Sequence, residues 1–191
     1  QVEDGRRVIR LWVWAAVGSG IGRWVNHLSF ALLAPLGLRA ARRADWVFVE
    51  YPALPAAVPV LWWCRLRGHK VVVNVADLWV DAAIDAGVIP GKVAASLAQR
   101  IERWTLRRAD VVNAVTQGVA DALVAKGVEP DRIRWLPNGV DPDVFCPGPV
   151  ADGVREELGV PEGHDIVLYA GTHGYVHQLD VVLDAAAELV D

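Results

Sequence analysis

Short apolar runs and longer amphipathic stretches alternate along the whole chain. Val8 to Val13 and Trp46 to Glu50 are runs rich in β-formers. Lys70 to Val75 is almost pure valine, the composition of a strand buried on both faces of a parallel sheet. Val111 to Val115, Ile133 to Leu136 and Ile166 to Ala170 complete the set of expected strands. Between them lie helical stretches from Trp24 to about Arg42, from the Tyr51-Pro52 turn to Arg67, from Gln117 to Lys126, from Val154 to Leu158 and from near Leu179. Gly68-His69 reads as the stop signal of the second. The clearest helix runs from Lys92 to Arg108, where Val93, Leu97, Ile101 and Trp104 form one apolar stripe and Arg100, Arg103 and Arg107 lie off it. Strands separated by helices predict repeated βαβ units, and so an α/β fold with a parallel sheet and helices on both faces.

Proline and glycine cluster most densely over residues 137–153, which marks a boundary between two units. Residues 1–147 are expected to form most of one Rossmann-like domain, and residues 148–191 the opening of a second. One strand has no sheet to bury it, so the second unit is expected to be truncated. With no methionine and Gln1 at its start, the chain is expected to be an internal segment of a longer reading frame. Cys64 and Cys146 lie far apart with no metal-ligand spacing around them, which points to a reducing cytoplasm and argues against a zinc site or disulfide framework. No apolar run reaches the length of a membrane-spanning helix.

Charge changes this picture. The net charge is −4, but residues 1–70 hold ten Lys and Arg against four Asp and Glu, while the remainder holds nine against nineteen. The basic part also carries six of the nine tryptophans, with Trp62 and Trp63 beside Arg65, Arg67 and Lys70. Arg and Trp together suit an anionic lipid surface or a phosphate-bearing substrate, and equally a solvated basic face over core tryptophans.

Three loops carry candidate chemistry. Gly171-Thr172-His173-Gly174 follows an expected strand and leads to a helix near Leu179. Glycines there would let amides approach an anion beside a helix start, with His173 and His177 as further donors to a diphosphate. Asn74 to Asp81 turns the valine strand into a loop, where Asp77 and Asp81 could hold a sugar hydroxyl or take up a proton and Trp79 could stack on a sugar. Asp81 reads equally well as the N-cap of a helix from Ala82. Gly18-Ser19-Gly20-Ile21-Gly22, with Glu50 at the end of the next strand, has the outline of a nicotinamide-dinucleotide site but not its glycine spacing. Glu102, Arg107, Arg108 and Asp110 read as a structural charged set at the end of the long helix.

Glu102 with Arg107-Arg108-Ala109-Asp110, followed by Thr116 and Gly127-Val128, and then Leu136-Pro137-Asn138-Gly139-Val140-Asp141 with Phe145 and Pro147, together resemble the retaining GT-B glycosyltransferases of family four, the second stretch being the most specific. Leu168-Tyr169-Ala170-Gly171 resembles the first strand of that family's C-terminal domain. Arg23, Asn26, Ser29-Phe30 and Asp77-Leu78-Trp79 resemble a subgroup that builds bacterial surface polysaccharides on lipid carriers, akin to amino-sugar transferases. The resemblance implies a two-domain enzyme that moves a hexosyl group from a nucleotide sugar to a lipid-linked or polysaccharide acceptor with retention. It implies no metal, and no cofactor or nucleic acid is expected. The cysteines point to the cytoplasm, and the basic, Trp-rich residues 1–70 would suit peripheral contact with the inner face of the cell membrane. Asp77 would be catalytic, while Arg23, Trp79 and Asp81 would face the acceptor. Asn138, Gly171, Thr172, His173, Gly174 and His177 would face the nucleotide sugar. Two alternatives stay open, a non-catalytic α/β binding module and a dinucleotide-binding Rossmann domain. The chain departs from many relatives in having Ala76 in place of His, and Thr172 and His177 in place of Arg and Lys.

Overall fold

The computed structural model describes all residues except 1, 4, 17–20, 52–53, 149–152, 162, 174–176 and 190–191; side chains at 2, 3, 6, 21, 23, 24, 41, 54 and 55 are also outside the description. The chain divides into two compact units, Gln1–Asn138 and Gly139–Asp191.

The first unit opens with a short antiparallel pair, β1 (Val2–Glu3) and β2 (Arg6–Arg7). Helix α1 (Ile21–Gly37) follows and ends in a 3-10 turn, Leu38–Ala41. Next come β3 (Trp46–Tyr51), α2 (Leu54–Arg67), β4 (Lys70–Val75), α3 (Trp79–Asp85), α4 (Lys92–Arg108), β5 (Val111–Ala114), α5 (Gln117–Ala125) and β6 (Ile133–Trp135). The four longer strands form one parallel sheet in the order β3-β4-β5-β6.

Every crossover in that order steps the same way across the sheet. Right-handed connections therefore place α2, α4 and α5 on one face, and α1 packs on α2 as α2 does on α4. Helices on both faces would need a crossover stepping back, and none occurs among the described residues. The valine strand is correspondingly one-sided. Val71, Val73 and Val75 are buried toward the helices with Val47, Tyr51, Val112 and Ala114, whereas Val72 is only half-buried and Phe48, on the other face, is 61% exposed. Each fully buried valine stabilises the fold by about 1.5–3 kcal/mol.

Local chemistry explains several boundaries. Gly68 ends α2 with φ +75°, and His69 N donates to Cys64 O at 2.9 Å, a left-handed cap that glycine adopts without strain. Thr116 Oγ accepts from Val119 N at 3.2 Å and caps α5.

Three further expectations fail. Val8 to Val13 forms no strand, and neither does Ile166 to Ala170. A β-forming run becomes a strand only where a neighbour accepts its hydrogen bonds, and the second unit has no other strand among its described residues, only α6 (Val154–Glu157) and α7 (Leu179–Glu188). The expected stripe of α4 is half wrong, because Val93 and Leu97 are 85% and 58% exposed while Glu102, Thr105 and Leu106 are buried. A helix of 17 residues is about 25 Å long, whereas strands of 4 and 3 residues reach only about 10–13 Å, so the sheet covers the second half of the helix alone.

Candidate functional site

The carboxyl ends of β3 to β6 gather the residues on which function was expected, as the topology of a parallel sheet requires. Asp77 stands exposed on the bend that follows β4. Leu78 is the N-cap of α3 and Trp79 its first residue, with the Trp79 ring half-buried against the core. Asp81 is not the N-cap of a helix from Ala82. The helix starts three residues earlier, at Trp79, and Asp81 lies in its first turn, where a negative charge meets the positive end of the helix dipole.

Beneath this bend lies a connected set of polar side chains from four elements. Tyr51 Oη, at the end of β3, donates to Glu102 Oε1 of α4 at 2.6 Å. Lys126, just past α5, donates to Glu102 Oε2 at 2.5 Å and pairs with Asp81 Oδ2 at 2.6 Å. The Glu102 carboxylate is fully buried, so these two donors replace the water it has lost. Burial raises the pKa of Tyr51, and the hydrogen bond and charge of Glu102, then the charges of Asp81 and Asp77, add to it. Burial opposes the charge on Lys126, but its bonds to Asp81 and Glu102 outweigh that, and its pKa is raised.

Both raised values have one consequence for stability. Lys126 and Tyr51 hold their protons more tightly folded than unfolded, so their contribution is complete below about pH 10 and is lost as pH rises through the folded values. Alkaline titration is expected to show one phenol ionising only together with unfolding. Ultraviolet tyrosinate absorbance followed beside circular dichroism checks this, and complete ionisation of every phenol before any loss of helix would contradict it.

A second polar row crosses the sheet on the face opposite the helices. Both Glu50 carboxylate oxygens accept from Asn74 Nδ2, at 2.8 and 3.0 Å, and Asn74 Oδ1 accepts from Asn113 Nδ2 at 2.6 Å. Asn113 then exchanges two bonds with the Leu136 backbone, which fixes the start of the segment leading to Asn138. Glu50 is thus engaged by the sheet itself, and Gly18 and Gly20 of the dinucleotide-like loop lie outside the described residues.

Other expected positions fall as follows. Arg23 is on α1, with its side chain outside the description. Asn26 and Ser29 have a holding role, since Asn26 Nδ2 donates to Trp14 O at 2.6 Å and Ser29 Oγ accepts from Trp14 N at 2.9 Å. Asn138 is exposed at the end of the first unit. In the second unit Gly171, Thr172, His173 and His177 are exposed, Tyr169 Oη donates to Thr172 O at 3.2 Å, and the Tyr169 and His173 rings lie 5.8 Å apart. Gly174 lies outside the described residues.

The charged set at the end of α4 is structural in its geometry. Asp110 Oδ2 accepts from Val71 N at 2.8 Å, Arg108 lies over Trp104, and Arg132 donates to the Arg107 and Ala109 carbonyls. Sequence reasoning missed Tyr51 and Lys126, and also the pairing of Asn74 with Asn113. Two asparagines inside valine-rich strands were the available signal for the last.

Known proteins share this arrangement of sequence. The chain is 29% identical over 181 residues to a protein of Escherichia coli (strain K12) named as a colanic acid biosynthesis glycosyl transferase, WcaI, covering 91% of this chain and 44% of that protein. It is 31% identical over 129 residues to D-inositol 3-phosphate glycosyltransferase 1 of Catenulispora acidiphila, covering 66% of this chain and 30% of the relative. A third relative, the 2-deoxystreptamine glucosyltransferase of Streptomyces kanamyceticus, is 31% identical over 98 residues, or 50% of this chain and 25% of that one. The chain therefore spans less than half the length of these relatives. The family model described as "Glycosyl transferase 4-like domain" matches residues 1–139, and the chain belongs to that family.

Proposed function

We propose that the chain is part of a retaining GT-B glycosyltransferase that moves a hexosyl group, of the amino-sugar kind in the subgroup it resembles, from a nucleotide sugar to a lipid-linked or polysaccharide acceptor. Residues 1–147 form most of the acceptor-side domain, and residues 148–191 open the nucleotide-sugar domain. The observation that carries this reading is the family match over residues 1–139 on a parallel sheet whose β4 ends in the exposed carboxylate of Asp77. In this reading Asp77 takes the proton of the acceptor hydroxyl as the hydroxyl oxygen bonds to the anomeric carbon on the same face that the diphosphate leaves, which keeps the configuration. The nucleoside diphosphate leaves with the electron pair of the broken bond. Trp79, half-buried, is the residue on which an acceptor sugar would stack, and Arg23 lies on the same domain. Asp81 acts on the acceptor through the position of α3, since Lys126 already holds its carboxylate. Asn138 and the loop from Gly171 through Thr172, His173 and Gly174 to His177 serve the donor diphosphate.

No metal or organic cofactor has a part in this chemistry. The enzyme would work in the cytoplasm, against the anionic inner face of the cell membrane. Attachment through the basic, Trp-rich residues 1–70 would be peripheral; no helix among the described residues is long and apolar enough to cross a membrane.

The test is transfer of a labelled sugar from a panel of nucleotide hexoses, by the complete enzyme, into a bacterial lipid or polysaccharide extract. Label entering the acceptor fraction supports the reading. Saturable binding of a nucleotide sugar with no transfer would instead make the protein a binding module. The 191-residue chain by itself is expected to give no turnover, because both halves of the site must position the diphosphate and the acceptor.

A further inference from the structure

Two asparagines interrupt the valine strands β4 and β5, and the proposed transfer uses neither. Asn74 and Asn113 are 9% and 6% exposed and stand opposite each other in the register of the two strands. A buried amide costs stability unless it is bonded, and valine suits a strand better, so the sheet by itself has no use for this pair. The pair instead carries a row of hydrogen bonds from Glu50, exposed near the end of β3, to the backbone of Leu136, just past β6.

Both ends of the row require the same orientation of its amides. The Glu50 carboxylate accepts, so Asn74 turns its NH2 toward β3 and its carbonyl toward β5. Asn113 meets that carbonyl with one of its N–H groups. Its other N–H goes to Leu136 O at 3.2 Å, and its Oδ1 accepts from Leu136 N at 3.0 Å. Leu136 N also reaches Ala114 O at 3.2 Å, which continues the ladder of β5 and β6. One side chain thus holds both polar groups of the Leu136 backbone. Leu136 is the last residue before Asn138 that can be held in this way, because Pro137 has no N–H. The Pro137 ring fixes its own φ at about −65°, and peptide planes are rigid. Between the held Leu136 carbonyl and the Cα of Asn138, ψ of Pro137 is then the one soft torsion.

We propose that Asn113 is a positioning residue for the donor. It holds the chain at Leu136 so that Asn138 meets the nucleoside diphosphate, and Asn74 and Glu50 hold Asn113 in turn. The inference deepens the donor-facing reading of Asn138 given above and rests on it.

The test combines amide hydrogen exchange of Leu136 with calorimetric titration of the complete enzyme, using whichever of uridine, guanosine and thymidine diphosphate binds most tightly. Asn113→Leu is expected to speed the exchange about tenfold or more and to weaken nucleotide binding about three- to tenfold, the worth of one hydrogen bond. That single replacement also orphans the buried Asn74 carbonyl and destabilises the sheet. Asn74→Leu/Asn113→Leu removes both amides, so its stability should return toward that of the parent while exchange stays fast and binding stays weak. The double variant also carries the test if the single one fails to fold. A role confined to the sheet would restore stability, exchange and binding together, and that result would overturn the proposal. Asn138→Ala should weaken binding about as much as Asn113→Leu, and the two combined no more than either alone. Weakened binding by Asn138→Ala beside normal binding by Asn113→Leu would overturn the positioning and leave the donor reading intact. Unchanged binding by Asn138→Ala would remove the donor reading, and the proposal with it.

Discussion

Replacing Lys126 with methionine is expected to lower the unfolding free energy by about 3–5 kcal/mol, the range found when one partner of a buried ion pair is removed. The size follows from what remains. Glu102 has no exposure, and without Lys126 its carboxylate keeps, among the described residues, only the Tyr51 hydroxyl as donor. The buried charge then has too few donors to replace its lost water, which costs stability. The double variant Glu102→Gln/Lys126→Met removes the charge along with its partner and is expected to recover much of the loss. Urea denaturation of the two single variants and the double measures this coupling. A Lys126→Met variant as stable as the parent would mean that Glu102 is paired or hydrated in some other way. Because Lys126 also holds Asp81, the same variant should loosen α3, which amide hydrogen exchange over Trp79–Asp85 would register.

Replacing Asp77 with asparagine is expected to slow transfer by the complete enzyme by about 10²–10⁴-fold, the usual contribution of a positioned proton acceptor. Asp77 stands exposed on its bend, so the substitution removes a charge and a base without opening a cavity or orphaning a buried group. Stability should change little, and nucleotide affinity should stay nearly constant, because the proposed function puts Asp77 on the acceptor side. Calorimetric titration with the nucleoside diphosphate, beside steady-state kinetics, separates the two effects. A loss of nucleotide affinity with acceptor affinity intact would assign the loop to the donor instead.

The sequence made the regular parts of the first unit legible for physical reasons. Lys70 to Val75 and Lys92 to Arg108 have the boundaries that their patterns indicated, because Gly68 and Gly91 mark the turns before them and Ala109-Asp110 ends the helix. The position of Asp77 was legible too, since a loop following a buried parallel strand emerges where such sheets place ligands. What failed was whatever depends on partners far away in the chain. Val8 to Val13 and Ile166 to Ala170 have β-forming composition yet join no sheet, and for the second run no other strand is described in its unit; composition does not report a partner. Val93 and Leu97 keep helical spacing but lie beyond the reach of the short strands β5 and β6. Tyr51 and Lys126 meet Glu102 across 51 and 24 residues, separations that leave no local pattern to read. Asn74 and Asn113 were visible as polar residues among valines, and only the register of β4 on β5 shows that they face each other.

The central claim is that this acceptor-side domain belongs to an enzyme that transfers a sugar with its anomeric configuration kept. Proton NMR of the complete enzyme's reaction, followed from its first minutes with the preferred nucleotide sugar and acceptor, tests it most directly. The account predicts a new anomeric signal whose coupling matches the configuration of the donor, growing as the donor signal falls and much more slowly in the Asp77→Asn variant. A product of opposite configuration, or a donor signal that broadens on binding yet never gives rise to product, would contradict it.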